Sequence, residues 1–289
     1  MPVDVEQIFK AVVGRRKEIL LILSALQAGK NIFLEGPPGT SKSTILNAIS
    51  DYMGNGCCLV TGNNDLTTSK LIGYFDPAET LSRGYDPKNF IPGPLVSAMQ
   101  EGKYLYIEEF NRLPDETTNV FVTVLSEKKL LVPRFGVVET SADFRIIAAL
   151  NPLDDIGINR ISRALKDRFS SISMDYQSKD EEIEVVRRRT GYRTDELIEF
   201  AVNMARETRK HPEIKLGSSV RGSIDMIDIY RKTLDIQGRD MNEGGTDYEL
   251  LLDSAVMALR SKIWVFETSE KKPEDLIREI FFDLQKKKL

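Results

Sequence analysis

One segment constrains this chain more than any other: Asn31-Ile32-Phe33-Leu34-Glu35-Gly36-Pro37-Pro38-Gly39-Thr40-Ser41-Lys42-Ser43-Thr44. A short apolar run, a turn rich in glycine and proline, and a Lys-Ser pair opening an amphipathic stretch predict strand, loop and helix in immediate succession. That is the context a phosphate-binding P-loop requires. Backbone N–H groups of such a loop, and of the helix N-terminus behind it, point at bound phosphate. Lys42 is placed to reach β- and γ-phosphates, and the Ser43 hydroxyl to ligate Mg²⁺. The candidate nucleotide-binding residues here are Gly36, Pro37, Pro38, Gly39, Thr40, Ser41, Lys42, Ser43 and Thr44. Ser41 stands where the generic pattern has its last glycine, and a small side chain there still lets the backbone approach.

Two further strand ends carry polar groups. Lys103-Tyr104-Leu105-Tyr106-Ile107 reads as a strand that stops abruptly at Glu108-Glu109. Carboxylates at the carboxyl end of a buried strand lie where doubly wound sheets bind ligands. One can hold the metal and its water shell, and the next can act as general base on an attacking water. Phe144 to Leu150 is a buried strand ending in Asn151-Pro152. An amide there can hydrogen-bond the water or the γ-phosphate, although an asparagine before proline is also an ordinary turn former.

The rest of the chain fits around these strands. Residues 5–29 read as helix broken near Gly14, Cys57 to Thr61 as a buried strand, residues 73–94 as a long loop, and residues 116–126 as helix. Residues 128–141 read as a hairpin or loop excursion, and Ser171 to Met174 as a fifth strand. Beyond residue 178 strand signals disappear. Helical stretches cover 178–190, 194–210, 218–236, 247–265 and 273–287, with a loop at Asp240 to Asp247. Alternating strands and helices imply a largely parallel sheet covered on both faces. The expected organisation is therefore an α/β nucleotide-binding domain over residues 1–176 and a smaller all-helical domain over 177–289.

Composition narrows the chemistry. The net charge of −4 over 289 residues argues against general nucleic-acid binding. Arg187-Arg188-Arg189 and Lys286-Lys287-Lys288 read as solvated helix faces. The two cysteines, Cys57 and Cys58, are adjacent, so a bond between them is sterically disfavoured, and small core thiols in a reducing compartment are expected. With His211 the single histidine, zinc or Ser-His-Asp chemistry has almost nothing to work with. The longest apolar stretch, Ile19 to Leu26, is far too short to span a bilayer, and no leader-like N-terminus is evident, so a cytoplasmic location is expected.

Taken together, Gly-Pro-Pro-Gly-Thr-Ser-Lys-Ser, Ile-Glu-Glu-Phe-Asn-Arg-Leu-Pro, Ala-Ala-Leu-Asn-Pro and Lys-Asp-Arg-Phe resemble the AAA+ ATPases, and within them the MoxR branch. The resemblance is strong from about Val12 to Phe169. It implies a P-loop AAA+ core followed by a helical lid. Val12-Val13-Gly14-Arg15 resembles the N-terminal element that packs against adenine, which adds Val13 and Gly14 to the nucleotide-binding set. Residues 64–94, with Ile91-Pro92-Gly93-Pro94, resemble the inserted helix and loop of the branch, and residues 128–141 its hairpin. Both excursions face the ring pore in relatives.

The resemblance further implies Glu109 as catalytic base, Asn151 as sensor 1, and Arg168 as an arginine finger serving a neighbouring subunit, with Arg163 a second candidate. Arg221, in Ser218-Ser219-Val220-Arg221, resembles the lid arginine called sensor 2. Ser43 and Glu108 would serve the metal. Glu108 departs from the branch, whose members carry aspartate there. The implied cofactors are ATP and Mg²⁺. The implied assembly is a homo-oligomeric ring, a hexamer, acting as a chaperone that remodels a client protein or inserts its cofactor, with clients that contain a von Willebrand factor A domain. The rival readings are a nucleic-acid-stimulated motor on the same fold, a nucleotide-gated binding module with little turnover, and a small-molecule P-loop kinase.

Overall fold

The computed structural model describes residues 5–152, 159–239 and 245–288. They form two compact units, one of Met1–Pro37 and Ser41–Asp175, the other of Pro38–Thr40 and Tyr176–Leu289.

The first unit is built on a five-stranded sheet of β1 (Asn31–Glu35), β2 (Cys57–Thr61), β3 (Tyr104–Glu108), β4 (Arg145–Leu150) and β5 (Phe169–Ser173). Their order is β2-β3-β4-β1-β5, and every pairing is parallel. The strand that follows β1 in the chain therefore lies at the far edge, and β1 sits between β4 and β5. The carboxyl ends of β1, β3 and β4 stand side by side, which is where open α/β sheets take ligands.

Strand alternation sends successive side chains to opposite faces. Ile32, Leu34, Tyr104, Tyr106, Ile147 and Ala149 pack with α1 (Arg16–Gln27) and α2 (Lys42–Met53), through Ile19, Ile22, Leu23, Ile45, Leu46 and Ile49. Phe33, Leu105, Ile107, Ile146, Ala148 and Leu150 pack with α3 (Pro94–Glu101) and α4 (Asp115–Glu127). Both faces of the sheet are thus covered by helices. Phe33 stacks on Phe169 with ring centroids 3.9 Å apart, joining β1 to β5 on the second face.

Two expectations are corrected in this unit. The Cys57–Thr61 strand is an edge strand, not a buried one: Leu59 is 61% exposed, and both cysteines are free and half-buried. Burial, followed by the neighbouring Cys58, pushes the Cys57 thiol up to about 11. Residues 73–94 are not a plain loop. Gly73–Phe75 pairs antiparallel with Phe90–Pro92, and between them runs a helix at Pro77–Arg83. Asp76 caps that helix by accepting from Ala78 N at 2.8 Å and Glu79 N at 3.1 Å, and Pro77 occupies its first turn. The Asp and Pro residues that suggested a loop are helix-start residues here. Helix α3 also begins with a proline and follows the ribbon directly. The 128–141 excursion is a hairpin, Lys129–Val132 against Gly136–Glu139.

The second unit holds α5 (Lys179–Thr190), α6 (Asp195–Thr208), α7 (Val220–Ile236), α8 (Tyr248–Leu259) and α9 (Pro273–Lys288) around one apolar core. Ser178 and Glu181 form a capping box at the start of α5. The unit is not purely helical: Ile214–Leu216 pairs antiparallel with Trp264–Val265, a ribbon too short to leave a periodic signal. The arginine run on α5 is a solvated face, with Arg187 bridging Glu184 and Asp195 at 2.6 and 2.7 Å. Of the loop expected at Asp240 to Asp247, residues 240–244 lie outside the described residues. Among the described residues no helix is long and apolar enough to cross a membrane.

Candidate functional site

The loop after β1 is shaped by close approach. Gly36 N donates to Leu150 O at 3.1 Å, and Met174 N donates to Glu35 O at 2.7 Å. A Cβ on Gly36 would lie 2.0 Å from Met174 O, so only glycine fits. Pro37, Pro38 and Gly39, the last with φ +77°, carry the chain around to Thr40, which is buried. Ser41 then takes φ +69° and ψ +17°, a left-handed conformation, immediately before α2. A glycine adopts that conformation at no steric cost. The position where the generic pattern has glycine is therefore one where the backbone requires left-handed geometry, and serine bears it.

Lys42 and Ser43 open α2. Lys42 Nζ donates to Gly36 O at 2.7 Å and Pro37 O at 2.8 Å, which holds the ammonium inside the curve of the loop. The Ser43 hydroxyl donates to Glu108 Oε1. Tyr106, two residues earlier on β3 and so on the same face, donates to the same oxygen at 3.3 Å, and its hydroxyl lies 3.4 Å from Ser43 Oγ. Burial holds the Tyr106 phenol above the ordinary tyrosine range, so it remains a proton donor. Thr44 is exposed on the outer side of the first turn.

The second carboxylate behaves differently. Glu109 leaves the strand in a left-handed conformation, φ +51°, and its side chain is 44% exposed, 3.2 Å from Arg112 Nε. Gly62 packs beneath this turn: its N donates to Glu108 O at 2.7 Å, and a Cβ there would lie 2.5 Å from Glu109 O. Asn111 is 9% exposed, and its amide donates to Asn151 O at 3.3 Å, tying the acidic turn to the end of β4. Asn151 itself is half-buried.

The remaining predicted residues are dispersed. Val13 and Gly14 are half-buried between a short helix at Glu6–Ala11 and α1, where Gly14 and Arg15 are both left-handed. Arg15 is buried, pairs with Glu18 at 3.0 Å and donates to Asp175 O. Arg168 is half-buried, with Nε donating to Ser126 Oγ at 2.8 Å and Nη1 to Ala164 O. Arg163 is exposed on the short helix Arg163–Lys166. Arg221 is exposed in the first turn of α7, whose cap is Ser219. Lys42, Ser43 and Glu108 are thus brought together, with Glu109 adjacent and Asn151 tied in through Asn111. Arg168 makes its contacts elsewhere, and Arg221 belongs to the second unit.

Sequence reasoning overlooked Tyr106, Asn111 and Gly62 as parts of this cluster. For Tyr106 a signal existed, since it sits in phase with Glu108 on one strand.

The donor set suits a hard cation. Ser43 and Glu108 offer a hydroxyl and a carboxylate oxygen already in contact. Among the described residues no group of three or more His, Cys, Asp or Glu side chains could hold a metal alone. Mg²⁺ bound by one or two protein oxygens, substrate phosphates and water matches that arrangement.

Residues 31–169 match the family model described as the AAA domain, dynein-related subfamily. Over 212 residues the chain is 32% identical to an uncharacterized protein of Staphylococcus saprophyticus, an alignment spanning 71% of this chain and 80% of the relative. The chain belongs to the AAA+ ATPase family. An uncharacterized protein of Staphylococcus aureus NCTC 8325 is 31% identical over 206 residues, 69% of this chain and 78% of its own length. Two solved structures show the same AAA+ fold. A crystal structure from Cytophaga hutchinsonii, provisionally described as an ATPase, covers 96% of this chain and 92% of its own, with a TM-score of 0.52 at 20% identity. The Thermotoga maritima RuvB Holliday junction branch migration motor covers 85% of this chain and 70% of its own, with a TM-score of 0.56 at 16% identity.

Proposed function

We propose that this AAA+ protein hydrolyses Mg-ATP as a MoxR-type machine, working as a homo-oligomeric, hexameric ring that remodels a client protein or inserts its cofactor. The observation that carries the reading is the convergence of Lys42, Ser43 and Glu108 at the carboxyl ends of β1 and β3. In this reading residues 1–176 bind the nucleotide, with Val13 and Gly14 against adenine, and residues 177–289 act as the lid.

Each residue's part follows from its chemistry. Lys42 Nζ exchanges the carbonyls of Gly36 and Pro37 for β- and γ-phosphate oxygens. Ser43 and Glu108 would hold Mg²⁺, which would supply positive charge beside the phosphoryl group. The Glu109 carboxylate accepts a proton from water as the water oxygen bonds to the γ-phosphorus and the bond to the β–γ bridging oxygen breaks, giving ADP and phosphate. The Asn151 amide orients that water. Arg168 of a neighbouring copy stabilises charge on the γ-phosphoryl group, and Arg221 closes on the phosphates from the lid. Clients carrying a von Willebrand factor A domain follow from the MoxR resemblance. The net charge of −4 argues for a protein client over nucleic acid.

A second reading has one observation in its favour. The ion pair of Glu109 with Arg112 engages the proposed base, as a nucleotide-gated binding module with little turnover would require. Phosphate release by the purified protein, set beside calorimetric Mg-ATP binding, tests the proposal. Wild type is expected to bind and turn over, and Lys42→Ala to lose tight binding while keeping its helical content. Unchanged affinity in Lys42→Ala would remove the P-loop from the account.

A further inference from the structure

We infer that Tyr106 is a positioning residue for the metal-side carboxylate, its phenol O–H fixing Glu108 Oε1 where the Ser43 hydroxyl meets it. This rests on the nucleotide-site reading above and adds to it a residue of the chain's own.

Glu108 carries one methylene more than an aspartate would at the same position. Its Cα is not free to retreat: it is paired with Thr61 on the neighbouring strand, and its carbonyl accepts from Gly62 N at 2.7 Å. The extra length must therefore be absorbed by the side chain. A longer carboxylate has one more torsion to order and loses more freedom when pinned. Left alone, its oxygens would sample several positions around the metal site.

Tyr106 supplies the restraint. Its ring is 1% exposed and packed between the sheet and α2, so the hydroxyl is rigidly presented. Strand alternation puts Tyr106 and Glu108 on one face, two residues apart. The phenol donates to Oε1 at 3.3 Å, the oxygen that also accepts from Ser43. Two donors on one oxygen leave the other oxygen of Glu108 and the lone pairs of Ser43 for the cation and its water. A phenylalanine at 106 would fill the same volume and supply no donor. The hydroxyl is therefore the distinguishing feature.

The test is a double-mutant cycle in the full-length protein, read by binding alone. A fluorescent ADP analogue is titrated at increasing Mg²⁺, and again in EDTA. Tyr106→Phe is expected to raise the Mg²⁺ concentration for half-maximal nucleotide binding about 10- to 150-fold, the range for losing a hydrogen bond to a charged group. Affinity in EDTA should stay within about twofold, because the ring and its packing remain. With Glu108→Asp, whose carboxylate withdraws by one methylene, adding Tyr106→Phe should change the Mg²⁺ requirement less than about twofold, the mark of coupled residues. An unchanged Mg²⁺ requirement in Tyr106→Phe overturns the assignment. So does an equal loss with and without Mg²⁺, or the same effect in both backgrounds. If wild type binds nucleotide with no dependence on Mg²⁺, the reading of the site fails first and takes this inference with it.

Discussion

The hydroxyl of Ser43, in the first turn of α2, donates to the carboxylate of Glu108 at the end of β3. These residues lie far apart in the chain, and the sheet order that places β4 between β3 and β1 brings their elements together. The contact joins the two motifs on which the proposed phosphate chemistry rests, and each of them is interpretable only in part without the other.

Ser41 offers a test of the loop's backbone. A left-handed non-glycine residue costs roughly 1–2 kcal/mol, and glycine costs roughly 0.5–1 kcal/mol more to order. Ser41→Gly should thus gain about 0.5–1 kcal/mol, raising Tm by about 1–4 °C. Ser41→Ala, which keeps a Cβ, should show no gain. Thermal unfolding of the two variants checks this, and equal Tm values would show that the strain is relieved in some other way.

The Glu109–Arg112 ion pair decides between an active ATPase and a gated module. Its partners are 44% and 39% exposed, and pairs that open to solvent are worth about 0.2–1 kcal/mol. A positioned base contributes about 10²–10⁴-fold in rate, far more than such a pair can withhold. Arg112→Ala is therefore expected to change steady-state phosphate release by less than about fivefold. A rise of tenfold or more would mean that the pair holds Glu109 out of use, and would favour the gated module.

The shared-site proposal is tested by complementation. Arg168 bonds to Ser126 and Ala164 within its own chain and does not join the Lys42 cluster there, which suits a role at a neighbour's nucleotide. Trans-acting arginines contribute about 10³–10⁵ in rate. Arg168→Ala and Lys42→Ala should each be inactive. Mixed rings would pair an intact P-loop with an intact arginine at some interfaces and regain ATPase in proportion to the mixing ratio. Rings verified as mixed by native mass spectrometry and showing no recovery would shift attention to Arg163.

How much of this could be read before folding depends on range. β1 and the start of α2 were legible residue for residue, because apolar run, turn and Lys-Ser are contiguous. The stretch 73–94 was misread because Asp76, Pro77 and Pro87 mark helix starts and loops alike, and only their hydrogen bonds tell the two apart. β2 looked buried because Cys57 to Val60 is apolar, whereas edge position is a property of the whole sheet. The ribbon of Ile214–Leu216 with Trp264–Val265 is too short for periodicity to register. In the proposed site, residue types single out Lys42, Ser43 and the Glu108–Glu109 pair, and the structure puts Ser43 against Glu108. Tyr106 on Glu108 and Asn111 on Asn151 arise from register and turn geometry, which no spacing rule supplies.

The central claim, hydrolysis of Mg-ATP by a divided pair of carboxylates, is tested most directly by one comparison. Single-turnover hydrolysis and Mg-ATP affinity are measured for wild type, Glu109→Gln and Glu108→Gln. Glu109→Gln is predicted to bind Mg-ATP as wild type does and to hydrolyse it at least about tenfold more slowly, since a positioned base is worth about 10²–10⁴-fold. Glu108→Gln is predicted to lose Mg²⁺-dependent affinity. Full hydrolysis by Glu109→Gln, or a slow, normally binding Glu108→Gln beside it, would contradict the assignment of base and metal ligand.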